Sequence, residues 1–146
     1  MRSDILFLES SGFFSAIIKL FTRSMITHVA IKVGSTCYHS EIPGGVQKSP
    51  VGDVLSRYNL IDSIQVDIPS IEDVEKHVGK PYDILTLPLA WVGQITGRKF
   101  FSGDAAFICS EYVTKVIFGK PYALTPVVLY DTLVHGEPIK GESLCA

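Results

Sequence analysis

The distribution of apolar and polar positions divides the chain into short strands and helices. The run Ile5-Leu6-Phe7-Leu8 is apolar, brief and bounded by polar residues, the pattern of a first strand. Residues 12–21 then place Phe13, Phe14, Ile17, Ile18 and Phe21 at helical spacing, with Ser10 or Ser11 available as a cap. Core packing is the expectation for that stripe; a helix facing lipid or substrate is the other reading it allows. Residues 28–33 are apolar and partly β-branched, residues 36–42 alternate, and Gly34-Ser35 between them suits a two-residue hairpin turn. With that turn, Val33 faces Thr36, Ile31 faces Tyr38, and His28 falls opposite Glu41 on one face, with Cβ atoms about 5 Å apart. A four-residue turn would make the pair diagonal, and a three-residue turn would send the two side chains to opposite faces.

Further along, Pro43-Gly44-Gly45 bends the chain, and residues 49–58 read as a short helix with Pro50 near its first turn. Residues 63–68 alternate as a strand that Pro69 ends, and Ser70 with Asp73 marks the start of a helix that stops at Gly79. Gly-Lys-Pro-Tyr occurs at 79–82 and again at 119–122, each time after an apolar helical stretch. It reads as a stop signal used twice, since glycine closes a helix in the left-handed conformation and proline prevents continuation. Residues 85–95 are mostly apolar, contain Pro88 and Trp91, and are too short to span a bilayer, so a buried or kinked helix is expected. Residues 96–104 form a polar, glycine-bearing loop of the kind that borders sites. Helical spacing returns over residues 105–118 through Cys109, Tyr112, Val113, Val116 and Ile117, and residues 125–134 give a last short helix. The expected fold is α+β, a small antiparallel sheet packed with helices. A chain of 146 residues with 47% hydrophobic content supports one ordinary core, hence a single domain over residues 1–146.

Composition then removes whole classes of partner. A net charge of −2 and a pI near 6.0 supply no basic field for nucleic acid or an anionic bilayer. The N-terminal segment carries Asp4 and only four consecutive apolar residues, so neither a secretory signal nor a transmembrane segment is expected. Three widely spaced cysteines, Cys37, Cys109 and Cys145, fit a reduced, cytoplasmic setting. They form no CxxC and no Cys/His cluster, so neither a metal nor a cofactor is expected.

The chemistry that remains is nucleophilic. Cys109 lies near the start of its helix, where unpaired backbone N–H groups and the dipole favour a thiolate. A lone cysteine on an apolar stripe is, taken by itself, most often small core filler. His28 and Glu41 share a strand face by the register above, and His39 stands on that face as well, opposite Ala30. His77 in a charged helix and His135 near the C-terminal turn are expected to be solvated, Cys37 has no base beside it, and Glu111 either caps its helix or contacts substrate.

Five separated pieces in one order carry a resemblance: DILFLESSGFFS, Thr27-His28-Val29-Ala30-Ile31, Glu41 with Gly45-Val46, Lys80-Pro81-Tyr82-Asp83, and Phe107-Ile108-Cys109-Ser110-Glu111. Over roughly residues 3–118 the chain resembles the circularly permuted NlpC-type papain-like enzymes, especially the YiiX-like branch, and more distantly the lecithin retinol acyltransferase group. The resemblance implies a permuted papain-like core with the histidine strand ahead of the cysteine helix. It implies Cys109 as nucleophile, His28 as general base and then acid, and Glu41 as the residue that orients the imidazole, with His39 the alternative because a second histidine stands near this place in the acyltransferase-like group. The implied activity is that of a cysteine peptidase or amidase, cleaving an amide or ester in a peptide, a peptidoglycan-type peptide or a lipid acyl group. The competing reading is an idle binding module or interaction protein of the same fold.

Overall fold

The computed structural model describes residues 1–42, 44–82, 96, 100–101 and 108–136. Its centre is a five-stranded antiparallel sheet in the order β4-β3-β2-β1-β5. The strands are β1 (Arg2–Glu9), β2 (His28–Val33), β3 (Thr36–Glu41), β4 (Gly45–Pro50) and β5 (Asn59–Asp67). Helices α1 (Phe13–Thr22), α2 (Val51–Arg57), α3 (Ile71–Glu75), α4 (Cys109–Phe118) and α5 (Pro126–His135) surround it, and β6 (Phe100–Phe101) pairs with β7 (Tyr122–Ala123). No helix among the described residues is long and apolar enough to cross a membrane.

Strand β1 explains why the sheet is covered on both sides. Its residues alternate faces, yet Ile5, Leu6, Phe7 and Leu8 are all buried, which is why the segment reads as a continuous apolar run. Ile5 and Phe7 join Val29, Ile31 and Tyr38 beneath Tyr112, Val113 and Val116 of α4. Leu6 and Leu8 join Ala30 and Cys37 beneath Val54 of α2. The hairpin forms as its sequence requires: Val33 pairs with Thr36 and Ile31 with Tyr38, around a turn in which Gly34 takes φ +60°.

Several expected boundaries move. Residues 45–50 form strand β4 along β3, where a bend leading into a helix was expected, and Pro50 precedes α2 instead of lying inside it. Strand β5 begins at Asn59, four residues ahead of the alternating segment, because its pairing with β1 extends to Glu9 through a register shift near Phe7 and Leu8. Helix α3 is capped by Ser70, whose hydroxyl accepts from the Asp73 N–H at 3.2 Å, but it ends at Glu75. Helix α4 begins at Cys109, not at residue 105, so the thiol belongs to its first turn. Gly119, at φ +77°, closes α4 as the repeated tetrapeptide implied. Residues 85–95, most of the loop 96–104 and Cys145 lie outside the described residues.

Helix α1 bears out its expected stripe in part. Of the described stripe residues Ile18 is buried and Ile17 half-buried, whereas Phe13 is 82% exposed. Ser15 and Thr22 face inward instead. The cause is a hydroxyl cluster: Ser10 bonds both Ser15 and Thr27, its own N–H donates to Thr27 Oγ1 at 2.8 Å, and Thr22 donates to the Ile18 carbonyl. Buried hydroxyls need such partners, and satisfying them fixes the rotation of the helix against the end of β1.

The first Gly-Lys-Pro-Tyr copy acts as a docking segment. Val46 N–H donates to the Lys80 carbonyl at 2.8 Å, and Gly79 N–H returns a bond to the Val46 carbonyl at 2.8 Å. A Cβ on Gly45 would lie 2.1 Å from the Lys80 carbonyl oxygen, and Gly45 has φ +70°. Gly45→Ala should therefore destabilise the fold by about 2 kcal/mol or more. Gly52→Ala, in α2 with no atom within 4 Å of its added Cβ, should be neutral or stabilising by up to about 1 kcal/mol. Parallel thermal melts check both, and a Gly45→Ala melt indistinguishable from wild type would contradict the close approach.

Candidate functional site

The two-residue turn sets the parity of the hairpin and with it the site. His28 opens β2 on the same side of the sheet as its β1 partner Leu8, and His39 and Glu41 fall on that side of β3. The recorded β2–β3 ladder ends at the pair Ile31 and Tyr38. Beyond it the contact to His28 comes from His39, diagonal to it: His28 Nε2 and His39 Nδ1 are 2.9 Å apart, with the ring planes at 81°. Glu41 was expected to orient His28 directly. Its Oε2 lies instead 3.7 Å from His39 Nδ1, one step further along the same line of polar groups.

Helix α2 supplies the other side of this line. Tyr58, the residue that ends it, stacks its ring on His28 at 4.7 Å between centroids and 10° between planes, and donates its hydroxyl proton to Glu41 Oε2. Arg57 donates to Glu41 Oε1 at 3.0 Å, as does Gln47 from β4 at 2.8 Å. His39 Nε2 meets Ser49 Oγ at 3.4 Å. None of these four was singled out in the sequence, where an adjacent Arg-Tyr pair before a strand and two polar β4 residues carry no spacing signal.

Burial governs the charges. It pushes the Glu41 carboxyl upward, but hydrogen bonds from Tyr58 and Arg57 and the neighbouring positive charge outweigh it, leaving the group below the usual carboxylate range. Burial lowers His39, against the opposing pull of Glu41, and lowers His28 well below the usual imidazole range, helped by His39 and Arg57. Both rings rest neutral, so each has one N–H and one lone pair.

Cys109 reaches this assembly from the other side of the sheet. It belongs to the cluster under α4, while the His28 ring is on the side that α2 covers. They converge at the first residues of β2, where Cys109 shares a buried cluster with Val29, the residue that follows His28. The expectation of a lowered thiol is overturned. Burial lifts Cys109 to about 12, and the N–H groups of Val29, Ser110 and Cys109 itself only partly offset it, while Glu111 opposes them. Glu111 is completely buried and accepts from the Ile108 N–H at 3.2 Å, so it caps α4. Ser110 ties the same turn to the Leu124 carbonyl.

A cleft of about 310 Å³ opens beside this group, walled by Ser10, Ser15, Thr27, His28, Glu41 and Tyr58. Tyr82 also lines it, packed partly against Ile108 and Ala123. The remaining candidates separate cleanly. His77 is buried, not solvated, with Nδ1 3.0 Å from Lys80 Nζ and its ring edge-on to Tyr112. His135 is exposed at the end of α5. Cys37 is buried beneath α2, with its thiol lifted to about 11 by burial.

The buried imidazoles of His28 and His39 make stability depend on pH. A histidine lowered on folding binds its proton more readily when unfolded, so its contribution is complete above about 6.5 and is lost as pH falls below that value. The melting temperature should therefore fall between pH 7 and pH 5, and a folded His28→Gln variant should show a shallower fall. Equal slopes in the two proteins would contradict the burial assigned to His28.

Compared with known proteins, the chain matches no protein-family model and no solved structure.

Proposed function

We propose that the protein is a cysteine hydrolase of permuted papain-like type, cleaving an amide or ester through Cys109. The observation that carries the reading is the packing of Cys109, the first residue of α4, in one buried cluster with Val29, the residue after His28. With His28 Nε2–H donating to His39 Nδ1, the ring's remaining lone pair, on Nδ1, is the one that can accept the thiol proton. As that proton moves, sulfur bonds to the substrate carbonyl carbon, and the carbonyl oxygen takes up negative charge near the Cys109 N–H at the helix start. His28 then returns the proton to the departing amine or alcohol, leaving a thioester, and next removes a proton from the water that hydrolyses it. His39 holds the ring, and Glu41, held by Tyr58 and Arg57, balances the positive charge that develops across both imidazoles.

With the thiol at about 12 and the imidazole lowered, a resting ion pair is disfavoured, and proton removal must accompany attack. Brief treatment with a small acyl-directed electrophile near pH 7, read by mass spectrometry, should label Cys109 ahead of Cys37 and Cys145. His28→Ala should slow that labelling by about a hundredfold. Of the two third-residue candidates, His39→Ala should cost more than Glu41→Gln, because only His39 bonds His28 directly. Cys109 labelling that is slow and indifferent to His28→Ala would instead favour the idle binding module, in which the buried thiol is core.

A further inference from the structure

We infer that His28, His39 and Glu41 together form a binding site for one zinc-type divalent cation, and that the ion, when bound, withdraws His28 from proton transfer. One ligand atom from each of the three residues lies within 4.8 Å of the other two. Two imidazole nitrogens and one carboxylate oxygen are a donor set that Zn²⁺ accepts, at about 2.0–2.2 Å from each, leaving a fourth position for water. Tetrahedral ligands at that radius stand roughly 3.3 Å apart. The observed separations of 2.9 Å and 3.7 Å bracket that spacing. Small side-chain rotations within a hairpin already in place would complete it.

The surroundings suit ligation as well. In the tautomer described above, the His39 Nδ1 lone pair and a Glu41 oxygen face one another, with the His28 proton between the rings as their shared positive group. A cation replaces that proton with a stronger attraction to all three acceptors. His39 Nε2–H can donate to Ser49 Oγ, and Glu41 is steadied by Tyr58, Gln47 and Arg57, the outer hydrogen bonding that orients metal ligands. Arg57 opposes the ion by its charge, but it bonds Oε1, and Oε2, which accepts the Tyr58 hydroxyl, keeps a second lone pair for the ion. The cleft that His28 and Glu41 line gives the ion an entry path.

The balance at His28 is a tautomer change. Its proton leaves Nε2, now bonded to the metal, and a proton occupies Nδ1, so the ring has no lone pair left for the Cys109 thiol. The cation site itself does not depend on the hydrolase reading; the loss of thiol reactivity does.

Co²⁺ serves as a spectroscopic probe in titrations of the whole chain, with Zn²⁺ competition. Expected is one ion per chain with the visible absorption of four-coordinate Co²⁺ and no thiolate charge-transfer band. Binding should weaken at least about tenfold in His39→Gln and in Glu41→Gln, and stay within about twofold in Cys109→Ser. Near-UV circular dichroism confirms that each variant is folded, and His39→Gln retains a side chain able to bond His28. No Co²⁺ absorption, binding indifferent to both His39→Gln and Glu41→Gln, or a thiolate band lost in Cys109→Ser would overturn the site. Equimolar Zn²⁺ should also suppress Cys109 labelling in the wild type. Metal binding without that suppression would leave the site standing and count against the hydrolase reading, whereas His28-dependent labelling with no metal binding would do the reverse.

Discussion

The parity of the β2–β3 hairpin is the constraint on which the site depends. Side chains alternate across a sheet with a period of two, so a one-residue slip would move His39 and Glu41 to the opposite side from His28. Gly34 and Ser35 prevent the slip, because a two-residue loop with glycine at positive φ matches the strand twist and closes the ladder at Val33 and Thr36. Everything polar that follows, from the histidine contact to the carboxylate under Tyr58, uses positions this turn has placed on one side. Helix α2 completes the arrangement because β4, paired along β3, delivers it to that side.

How much of this was legible in the sequence follows from the range over which each feature is determined. The hairpin register could be counted because turn chemistry and alternation are local. The stripe of α4 was read from periodicity and packs on the sheet as expected, with Tyr112, Val113 and Val116 buried. Strand β4 was missed because Val46-Gln47-Lys48-Ser49 has little apolar alternation; it is a strand because β3 offers it a partner. The α1 stripe was read correctly as helical, and Ile18 is buried as expected, but Phe13 at its start is exposed. Periodicity locates an apolar face without saying which neighbour the helix meets, and here the neighbour offers hydroxyls.

The site shows the same division. Placing His28, His39 and Glu41 on one side needed only parity, but choosing which of the last two touches His28 needed the side-chain geometry beyond the pair Ile31 and Tyr38, which no residue pattern encodes. Tyr58 and Arg57 arrive from a separate helix and were not legible at all. The thiol illustrates a contest of magnitudes. Helix-start N–H groups act on Cys109 as the sequence implied, yet desolvation is the larger effect because α4 seats that first turn against the sheet. A motif records proximity to a helix end; it does not record depth.

That depth has a consequence for the redox life of the chain. Peroxides and disulfides react with the exposed thiolate, and a side chain 5% exposed whose thiol is lifted to about 12 presents almost none at neutral pH. Cys109 should thus survive oxidant concentrations that convert accessible, acidic thiols to sulfenic acid or mixed disulfides with glutathione. Cys37, sealed beneath α2 with its own thiol lifted to about 11, shares that protection. Both described cysteines thus offer almost no resting thiolate to oxidants, and Cys109 reacts only where a base takes its proton during attack.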